Sequence, residues 1–315
     1  MVARYRVIVD NDFSGDPDDL FQLAHHVLSP SVEIPVVIGS HLAPGDFFDP
    51  SDQQADNAAR IATELLELLG SGIPVVAGSN TALDTALDTV PDGRPAAKPG
   101  PASEAIIREA MRDDPRPLFV ALGAGMTDLA SAVLVEPRIA ERLTAVWIGG
   151  PEHEGLGLPF PIDGQVEYNL NIDIRGAQVV FDSGIPIWQV PRNTYRQALM
   201  SLAELDTRVR PHGPLGQLLA ESIDGLVAMA ESAGRQLGET YCLGDQPLVL
   251  LTALQSAFEP EPSSSEWVIV PTPRLTDAGW YEPRPDGRPM RVYTRIDTRL
   301  MFDDLCAKLE QFARD

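Results

Sequence analysis

The sequence predicts an α/β fold: one mainly parallel, open sheet covered by helices, with a helical insertion and a small late β-hairpin. Short, nearly continuous apolar runs alternate with segments of helical periodicity as far as residue 190. This alternation is typical of parallel strands that are buried on both faces. No internal repeat and no linker divides the chain, so we expect residues 1–315 to form a single domain.

The predicted strands are short apolar runs, each bounded by polar, Gly or Pro residues. They cover residues 5–9, 32–38, 73–77, 118–122, 145–148 and 185–190. Two later runs, residues 267–270 and 290–296, are expected to pair as the late hairpin. The segment 89–102 is rich in Pro and Gly, and we expect it to be a surface loop.

The predicted helices carry apolar residues three and four positions apart, which places those residues on one face. The first helix follows this pattern over residues 20–27, and the clearest covers residues 55–69 before a stop at Gly70. Residues 199–237 are expected to form the helical insertion, and residues 298–313 a final helix.

Acidic residues dominate the charge, because 46 Asp and Glu against 24 Lys and Arg give −22. A field of this sign repels phosphate, so neither a nucleic acid nor an anionic membrane is expected as a partner. No apolar run approaches the ~18 residues of a membrane span. The two cysteines, Cys242 and Cys306, make neither a disulfide framework nor a zinc motif. We expect a soluble, cytoplasmic protein.

Five aspartates lie within ten residues, where the first strand gives way to the first helix: Asp10, Asp12, Asp16, Asp18 and Asp19. Ligands of open α/β sheets bind outside the carboxyl ends of the strands. Carboxylates this crowded repel one another unless a cation joins them, and Ca²⁺ takes six to eight oxygen ligands in a flexible arrangement. Helix capping explains one or two of them, Asp16 and Asp18. The segment therefore predicts a metal site, although its spacing differs from an EF-hand loop.

The same segment resembles the opening motif of the inosine–uridine-type nucleoside hydrolases. That motif is Asp-x-Asp, a Gly-containing turn and an Asp-Asp pair, matched here by Asp10, Asp12, Gly15, Asp18 and Asp19. Further segments are similar to family motifs in the same order: 121–130, 147–150, 167–173 and 244–247. On these matches the chain is identified as a divergent member of the family, and the resemblance implies the family's α/β fold.

The resemblance implies a calcium site formed by the carboxylates of Asp12, Asp18 and Asp245 and the backbone carbonyl of Thr127. Asp12 would also orient or deprotonate the attacking water, and Asp10 would support the site from behind. By the same resemblance, further residues are expected to bind sugar hydroxyls or brace the site: Asp19, Glu167, Asn169 and Asp173. Family members are commonly homodimers or homotetramers, so the resemblance implies such an assembly.

Three departures separate the chain from the family pattern. Gly244 stands where many members have a His that can protonate the leaving base. The His-Gly loop of the family is missing, and residues 89–101 occupy its place. Pro161 replaces an Asn usually found eight residues before Asn169, although Asp163 lies close by.

The group that helps the base to depart is therefore left open by the sequence. Tyr241 or His41 could donate a proton, and Trp280 or Tyr281 could stack on a purine. Each residue also has a purely structural interpretation, in the core or in the late hairpin. His41 follows a predicted strand end, which makes it the best placed of the five histidines. We include His41 and Trp280 among the candidate substrate-binding residues.

The expected reaction is calcium-dependent hydrolysis of the N-glycosidic bond of a ribonucleoside, which gives ribose and a free base. Such a reaction passes through an oxocarbenium-like sugar that carboxylates stabilise, and a bound cation lowers the pKa of water. Because the usual His is missing, the alternative is a nucleoside- or ribose-binding relative, or a hydrolase of an unusual ribosyl compound. A phosphohydrolase also opens with Asp-x-Asp, but the Asp18-Asp19 continuation does not fit that class.

Overall fold

The computed structural model describes residues 2–83, 95–157, 165–256, 258 and 264–314. Thirteen strands, β1 to β13, are found in these ranges: Tyr5–Asn11, Val32–Glu33, Val37–Gly39, Val75–Ala77, Leu118–Leu122, Thr144–Ile148, Ile187–Val190, Leu199–Ser201, Thr240–Cys242, Glu266–Pro271, Arg274–Leu275, Tyr281–Glu282 and Pro289–Arg295. Nine of them form one sheet in the order β10-β13-β7-β6-β5-β1-β3-β4, with β2 beside the start of β1. Neighbours run parallel except β10 and β13. The predicted fold class, an open and mainly parallel α/β sheet, is confirmed.

Helices cover both faces of this sheet. The α-helices of the described residues, α1 to α11, are Asp18–Val27, Gln54–Leu68, Pro101–Ala110, Thr127–Val135, Tyr168–Ile172, Ile174–Asp182, Arg192–Tyr195, Leu202–Glu204, Gly213–Ser232, Gln246–Thr252 and Thr298–Phe312. Successive side chains of β1 point to opposite faces. Val7 and Val9 accordingly join the core on one side of the sheet, and Ile8 joins the core on the other. None of the helices described is long and apolar enough to cross a membrane.

Two predicted elements differ from the structure at a proline. The strand expected over residues 32–38 is divided into β2 and β3, which pair with different parts of β1. Pro35 lies in the break, and it has no N–H for a sheet ladder. The loop expected over residues 89–102 ends earlier, because α3 begins at Pro101, where the fixed φ of proline suits a first helical position. Residues 89–94 lie outside the described ranges.

The late elements extend the sheet beyond the predicted hairpin. Strands β10 and β13 are an antiparallel pair, as expected, and β13 also pairs in parallel with β7. The hairpin is therefore the edge of the main sheet. The insertion is mainly helical, as predicted, with α9 as its longest helix, but it opens with strand β8, which pairs with β9.

Candidate active site

The chain reverses its direction across the sheet at β1. Strands β3 and β4 follow β1 on one side, whereas β5, β6 and β7 are added on the other. Asp12 directly follows the carboxyl end of β1, and Gly123 directly follows the carboxyl end of β5. This junction is the topological switch point at which open α/β sheets bind ligands.

A cavity of about 370 Å³ opens at this switch point. Its described lining comes from the ends of β1, β5 and β6, from the starts of α1, α5 and α10, from α7 and β9, and from two outlying segments, the loop after β3 and the insertion. The lining residues are Asp12, Asp16, Asp18, Asp19, Phe47, Phe48, Gly123, Ile148, Glu167, Tyr168, Asn169, Tyr195, Leu226, Leu237, Tyr241, Gly244 and Asp245.

Four buried carboxylates on this cavity form what we call the acid cluster: Asp12, Asp18, Asp19 and Asp245. Burial raises the pKa of Asp12 to about 8 and the pKa of Asp245 to about 7. Burial, followed by the charges of neighbouring carboxylates, holds the pKa values of Asp18 and Asp19 well above their usual range. Removal from water and like-charge neighbours both disfavour the ionised form. The cluster therefore favours a proton or a cation.

Hydrogen bonds satisfy only part of the acid cluster. The Asn11 amide donates to Asp245, and the backbone N–H of Asp245 donates to Asp18 at 3.0 Å. One carboxylate oxygen of Asp12 and one of Asp19 are buried without a hydrogen-bond partner among the described residues. Because a buried polar atom without a partner is costly, these oxygens are suited to accept a ligand.

The donor chemistry of the acid cluster fits a hard cation. Ca²⁺ binds carboxylate and carbonyl oxygens in a flexible arrangement, and a cation would offset both the burial and the mutual repulsion that disfavour the ionised carboxylates. The described residues contain no group of three or more His, Cys, Asp or Glu side chains already arranged as ligands around one point. The cluster offers the right atoms, and a bound ion would have to draw them together.

Glu167 and Asn169 form the opposite wall, at the start of α5. The Glu167 carboxylate accepts hydrogen bonds from the N–H of Gly150 at 2.7 Å and from the Tyr195 hydroxyl at 2.9 Å. The Asn169 amide donates to the carbonyl oxygens of Gly123 and Ile148, at 2.7 and 2.8 Å. Both side chains are thus fixed across the ends of β5 and β6.

Three other predicted site residues lie together behind the cavity lining. The Thr127 hydroxyl donates to Asp173 at 2.6 Å, and His41 Nε2 lies 3.0 Å from the same hydroxyl oxygen. Asp173 also caps α6 by accepting from the N–H of Gly176 at 2.6 Å. His41 is 2 % exposed, and burial lowers its pKa. The structure therefore places the His41 and Asp173 side chains in a buried polar layer. There they contact Thr127 and, in the case of Asp173, the backbone of α6.

Asp10 belongs to the same buried layer. It accepts a hydrogen bond from the Ser40 hydroxyl, while its other carboxylate oxygen has no partner in the described ranges. Burial, and after it the charge of Asp128, holds the pKa of Asp10 well above its usual value. Asp10 thus lies near the end of β1, two residues before Asp12, and its supporting role remains a prediction.

The late aromatic residues lie away from the described cavity lining. Trp280 is 39 % exposed on the turn between β11 and β12. Tyr281 is packed in the interior, stacked on the His153 ring with centroids 4.5 Å apart, and its hydroxyl accepts from Gln189 at 2.6 Å. Stacking of either residue on a substrate has no support in this geometry. Pro161 and Asp163 lie outside the described residues.

Sequence reasoning missed several aromatic residues of the cavity. Phe47, Phe48, Tyr168 and Tyr195 all line it. Phe47 is 66 % exposed, which is unusual for a phenylalanine and consistent with a ligand-binding surface. Two signals were available, because the Phe-Phe pair follows a strand end and Tyr168 lies inside the 167–173 motif. Tyr195 carried no local signal.

Comparisons with known proteins agree with this geometry. A family model for inosine-uridine preferring nucleoside hydrolase matches residues 7–301. An enzyme of that name from Leishmania major is 33 % identical over 113 residues, which are 36 % of this chain and 34 % of that protein. A pyrimidine-specific ribonucleoside hydrolase from Citrobacter koseri is 24 % identical over 229 residues, covering 67 % of this chain and 69 % of that one.

Similarity of fold extends over almost the whole chain. A solved purine-preferring ribonucleoside hydrolase from Gardnerella vaginalis superposes with a TM-score of 0.70 at 18 % identity, over 98 % of this chain and 99 % of that chain. At this identity the likeness concerns the fold. The family model, by contrast, spans the segments that supply the acid cluster, Glu167 and Asn169. The chain therefore belongs to the inosine-uridine preferring nucleoside hydrolase family, and the resemblance and enzyme class predicted from its sequence are confirmed.

Proposed function

We propose that the chain hydrolyses the N-glycosidic bond of a ribonucleoside, giving ribose and the free base, and that the reaction depends on calcium. The observation that carries the proposal is the acid cluster: four buried carboxylates with raised pKa values, set on a cavity at the switch point of the sheet. Membership of the nucleoside hydrolase family supports cleavage of this bond.

Asp12, Asp18 and Asp245 would hold the ion through their carboxylates, with the backbone carbonyl of Thr127 as a further ligand. When bound, the ion would anchor sugar hydroxyls and make water more acidic. Asp12 would accept a proton from the attacking water, because it lines the cavity and one of its carboxylate oxygens has no partner among the residues that the structure describes. A carboxylate within hydrogen-bond reach of the attacking water is suited to this work.

The remaining polar walls suit a sugar. Asp19, Glu167 and Asn169 line the same cavity as Asp12, and their oxygen atoms would accept hydrogen bonds from hydroxyl groups. Negative charge around the sugar would also stabilise the oxocarbenium-like transition state. Asp10 and Asp173 would support these residues from the buried layer behind them.

A second candidate is hydrolysis of a ribosyl compound whose leaving group needs no acid, or binding of such a compound without turnover. The observation that favours it is that the cavity lining, as far as the structure describes it, contains no His, Lys or Arg. A small-molecule nucleoside remains the proposed partner. The cytoplasmic location and the homodimeric or homotetrameric state remain predictions, carried by composition and by the family resemblance.

Metal analysis and a substrate panel test the proposal. We expect calcium to co-purify with protein prepared without chelator, and purine or pyrimidine nucleosides to be hydrolysed until a chelator is added. Asp12→Ala is expected to lower kcat by about 10²–10⁴-fold, whereas Asp206→Ala, at a 60 % exposed side chain on the insertion, serves as the matched control. Calcium-free protein together with an active Asp12→Ala variant would refute the mechanism.

p-Nitrophenyl riboside distinguishes the two candidates, because its leaving group departs without protonation. Turnover of nucleosides supports the first candidate. Turnover of the activated substrate alone supports the second, and turnover of neither substrate by calcium-loaded protein contradicts both hydrolase proposals.

A further inference from the structure

We infer that the Tyr241 hydroxyl donates the proton that the departing base needs. The inference rests on the proposed function, and it names the residue that replaces the family's usual His. Three observations carry it: the surroundings of Gly244, the hydrogen bonds of the tyrosines on the cavity, and the apolar residues beside Tyr241.

The space next to Gly244 is already occupied. A Cβ atom at Gly244 would lie 3.3 Å from an Asp18 carboxylate oxygen and 3.3 Å from the Tyr195 ring. Both distances are shorter than usual Cβ contacts, so a side chain here would require Asp18 or Tyr195 to shift by a few tenths of an ångström. Gly244 itself has no side chain that could donate a proton, so a donor must come from another wall of the cavity.

Among the described residues that line the cavity, three are tyrosines. The Tyr168 hydroxyl donates to Asp46 at 2.7 Å, and the Tyr195 hydroxyl donates to Glu167 at 2.9 Å. The Tyr241 hydroxyl is shielded from solvent and has no hydrogen-bond partner in the part of the chain that the structure describes. Of the three, Tyr241 alone keeps its hydroxyl hydrogen available for a ligand. An unpaired buried hydroxyl is unfavourable until such a partner binds.

The position of Tyr241 is fixed by a short strand pair. Tyr241 lies in β9, directly opposite Met200 of β8, and four residues before Asp245. Strand β9 ends three residues before Asp245, which precedes α10 and belongs to the acid cluster. Tyr241 and the acid cluster thus line one cavity.

The cavity lining has a polar part, which suits a sugar, and an apolar part, which suits a base. Carboxylates come from the ends of the strands, whereas the loop after β3 and the insertion supply apolar side chains, namely Phe47, Leu226 and Leu237. Polar walls suit a sugar, and aromatic and apolar walls suit a flat heterocycle. Tyr241 borders the insertion, in a small void shared with Ile223, and therefore adds a polar group to the apolar side.

The proton balance of the step is complete. The bond between C1′ and the base nitrogen breaks, and its electron pair stays on the base, which takes the proton of the Tyr241 hydroxyl. A water oxygen bonds to C1′ and loses a proton to Asp12. Exchange with solvent then returns a proton to Tyr241 and removes one from Asp12, so nucleoside and water give ribose and base.

The test measures how the Tyr241→Phe variant, which lacks only the hydroxyl, hydrolyses substrates with different leaving groups. We expect kcat/KM for inosine and uridine to fall by about 10²–10⁴-fold and kcat/KM for p-nitrophenyl riboside to stay close to the unsubstituted value. Tyr5→Phe is the matched control, because Tyr5 packs edge-to-face on Phe119 at 5.6 Å, remote from the cavity lining. Circular dichroism and thermal unfolding check that both variants fold.

Asp16 provides the competing outcome, since it lines the cavity and one of its carboxylate oxygens has no hydrogen-bond partner in the described ranges. If Asp16→Asn rather than Tyr241→Phe shows the leaving-group-dependent loss, the proton comes from Asp16 and the inference is overturned. Equal losses on both substrates in Tyr241→Phe would also overturn it, because they indicate a binding or structural role. If the unsubstituted protein hydrolyses nucleosides and Tyr241→Phe does so equally well, the inference fails while the proposed function stands.

Discussion

At the scale of single residues, the acid cluster depends on glycines that leave room for carboxylates. A Cβ atom at Gly123 would overlap the Asp245 carboxylate and the Asn11 amide that donates to it. Gly123 directly follows β5, so the sheet holds its backbone close to these two side chains. The site therefore requires a glycine at position 123 as much as it requires the carboxylates.

Gly123→Ala is expected to weaken calcium binding by about 10–100-fold, the range found when the support of a metal ligand is lost. The added methyl group forces Asp245 away from Asp18 and Asp19. Isothermal titration calorimetry with Ca²⁺ measures the change. Gly225→Ala is the control, because a Cβ atom there meets open space within the described structure. Unchanged affinity in Gly123→Ala would show that Asp245 does not hold the ion.

At the scale of elements, three helices share buried polar contacts behind the cavity. His25 of α1 lies 2.8 Å from Gln246 of α10 and 2.8 Å from Asp304 of α11. His26 of α1 lies 2.8 Å from Thr252 of α10. Gln246 follows Asp245 directly, so these contacts fix the start of α10 and, with it, one wall of the acid cluster. The contacts of the two histidines are with structural residues of neighbouring helices.

We predict that His25→Ala lowers the free energy of unfolding by about 1–3 kcal/mol for each polar partner left buried and unpaired. Gln246 loses its partner completely, whereas Asp304 keeps its ion pair with Lys308. Urea denaturation followed by circular dichroism measures the change. His212→Ala, in the loop before α9, is the matched control. If the free energy of unfolding equals that of the unsubstituted protein, the α1–α10 contact does not contribute to stability.

At the scale of the whole molecule, the raised pKa values link stability to pH and, if the proposed site binds calcium, to that ion. The pKa values of Asp12, about 8, and of Asp245, about 7, lie above the value of an unfolded aspartate. The folded protein therefore binds more protons than the unfolded chain up to about pH 8. Stability changes with pH in proportion to the difference in bound protons, so the metal-free protein loses stability as the pH rises.

We predict that, in the presence of a chelator, the Tm falls between pH 7 and pH 8.5. The histidines do not obscure this window, because burial lowers the pKa values of His25, His26 and His41 and unfolded histidine is largely neutral above its usual pKa of about 6.5. Calcium is expected to flatten the fall, since it replaces the protons. Differential scanning calorimetry with and without Ca²⁺ measures both effects.

Asp12→Asn provides the control for this linkage, because it removes the carboxylate with the pKa of about 8. Its metal-free Tm should depend less on pH over the same window. Calcium binding to the unsubstituted protein should release protons, which calorimetry in two buffers of different ionisation enthalpy detects. A Tm that rises from pH 7 to pH 8.5 without calcium would contradict the prediction.

The sequence by itself determined the fold class and the position of the acidic segment. Alternating apolar strands and amphipathic helices specify an open parallel sheet, and a carboxylate-rich turn after β1 must then lie at the carboxyl edge. These are local patterns, read within a few residues of each other. They placed the segment of Asp12 and Asp18, whereas Asp245 came from the resemblance to the family, and the structure brings all three to one cavity.

Only the tertiary structure decided which distant side chains line that cavity and which of them already have hydrogen-bond partners within the protein. The Tyr195 hydroxyl is hydrogen-bonded to Glu167, the Tyr241 hydroxyl has no partner among the described residues, and His41 lies in the buried layer with Thr127. Such assignments depend on contacts between residues far apart in the chain, and no local periodicity encodes them. Burial likewise sets the raised pKa values of the acid cluster, because the loss of water around a carboxylate is a property of the packed molecule.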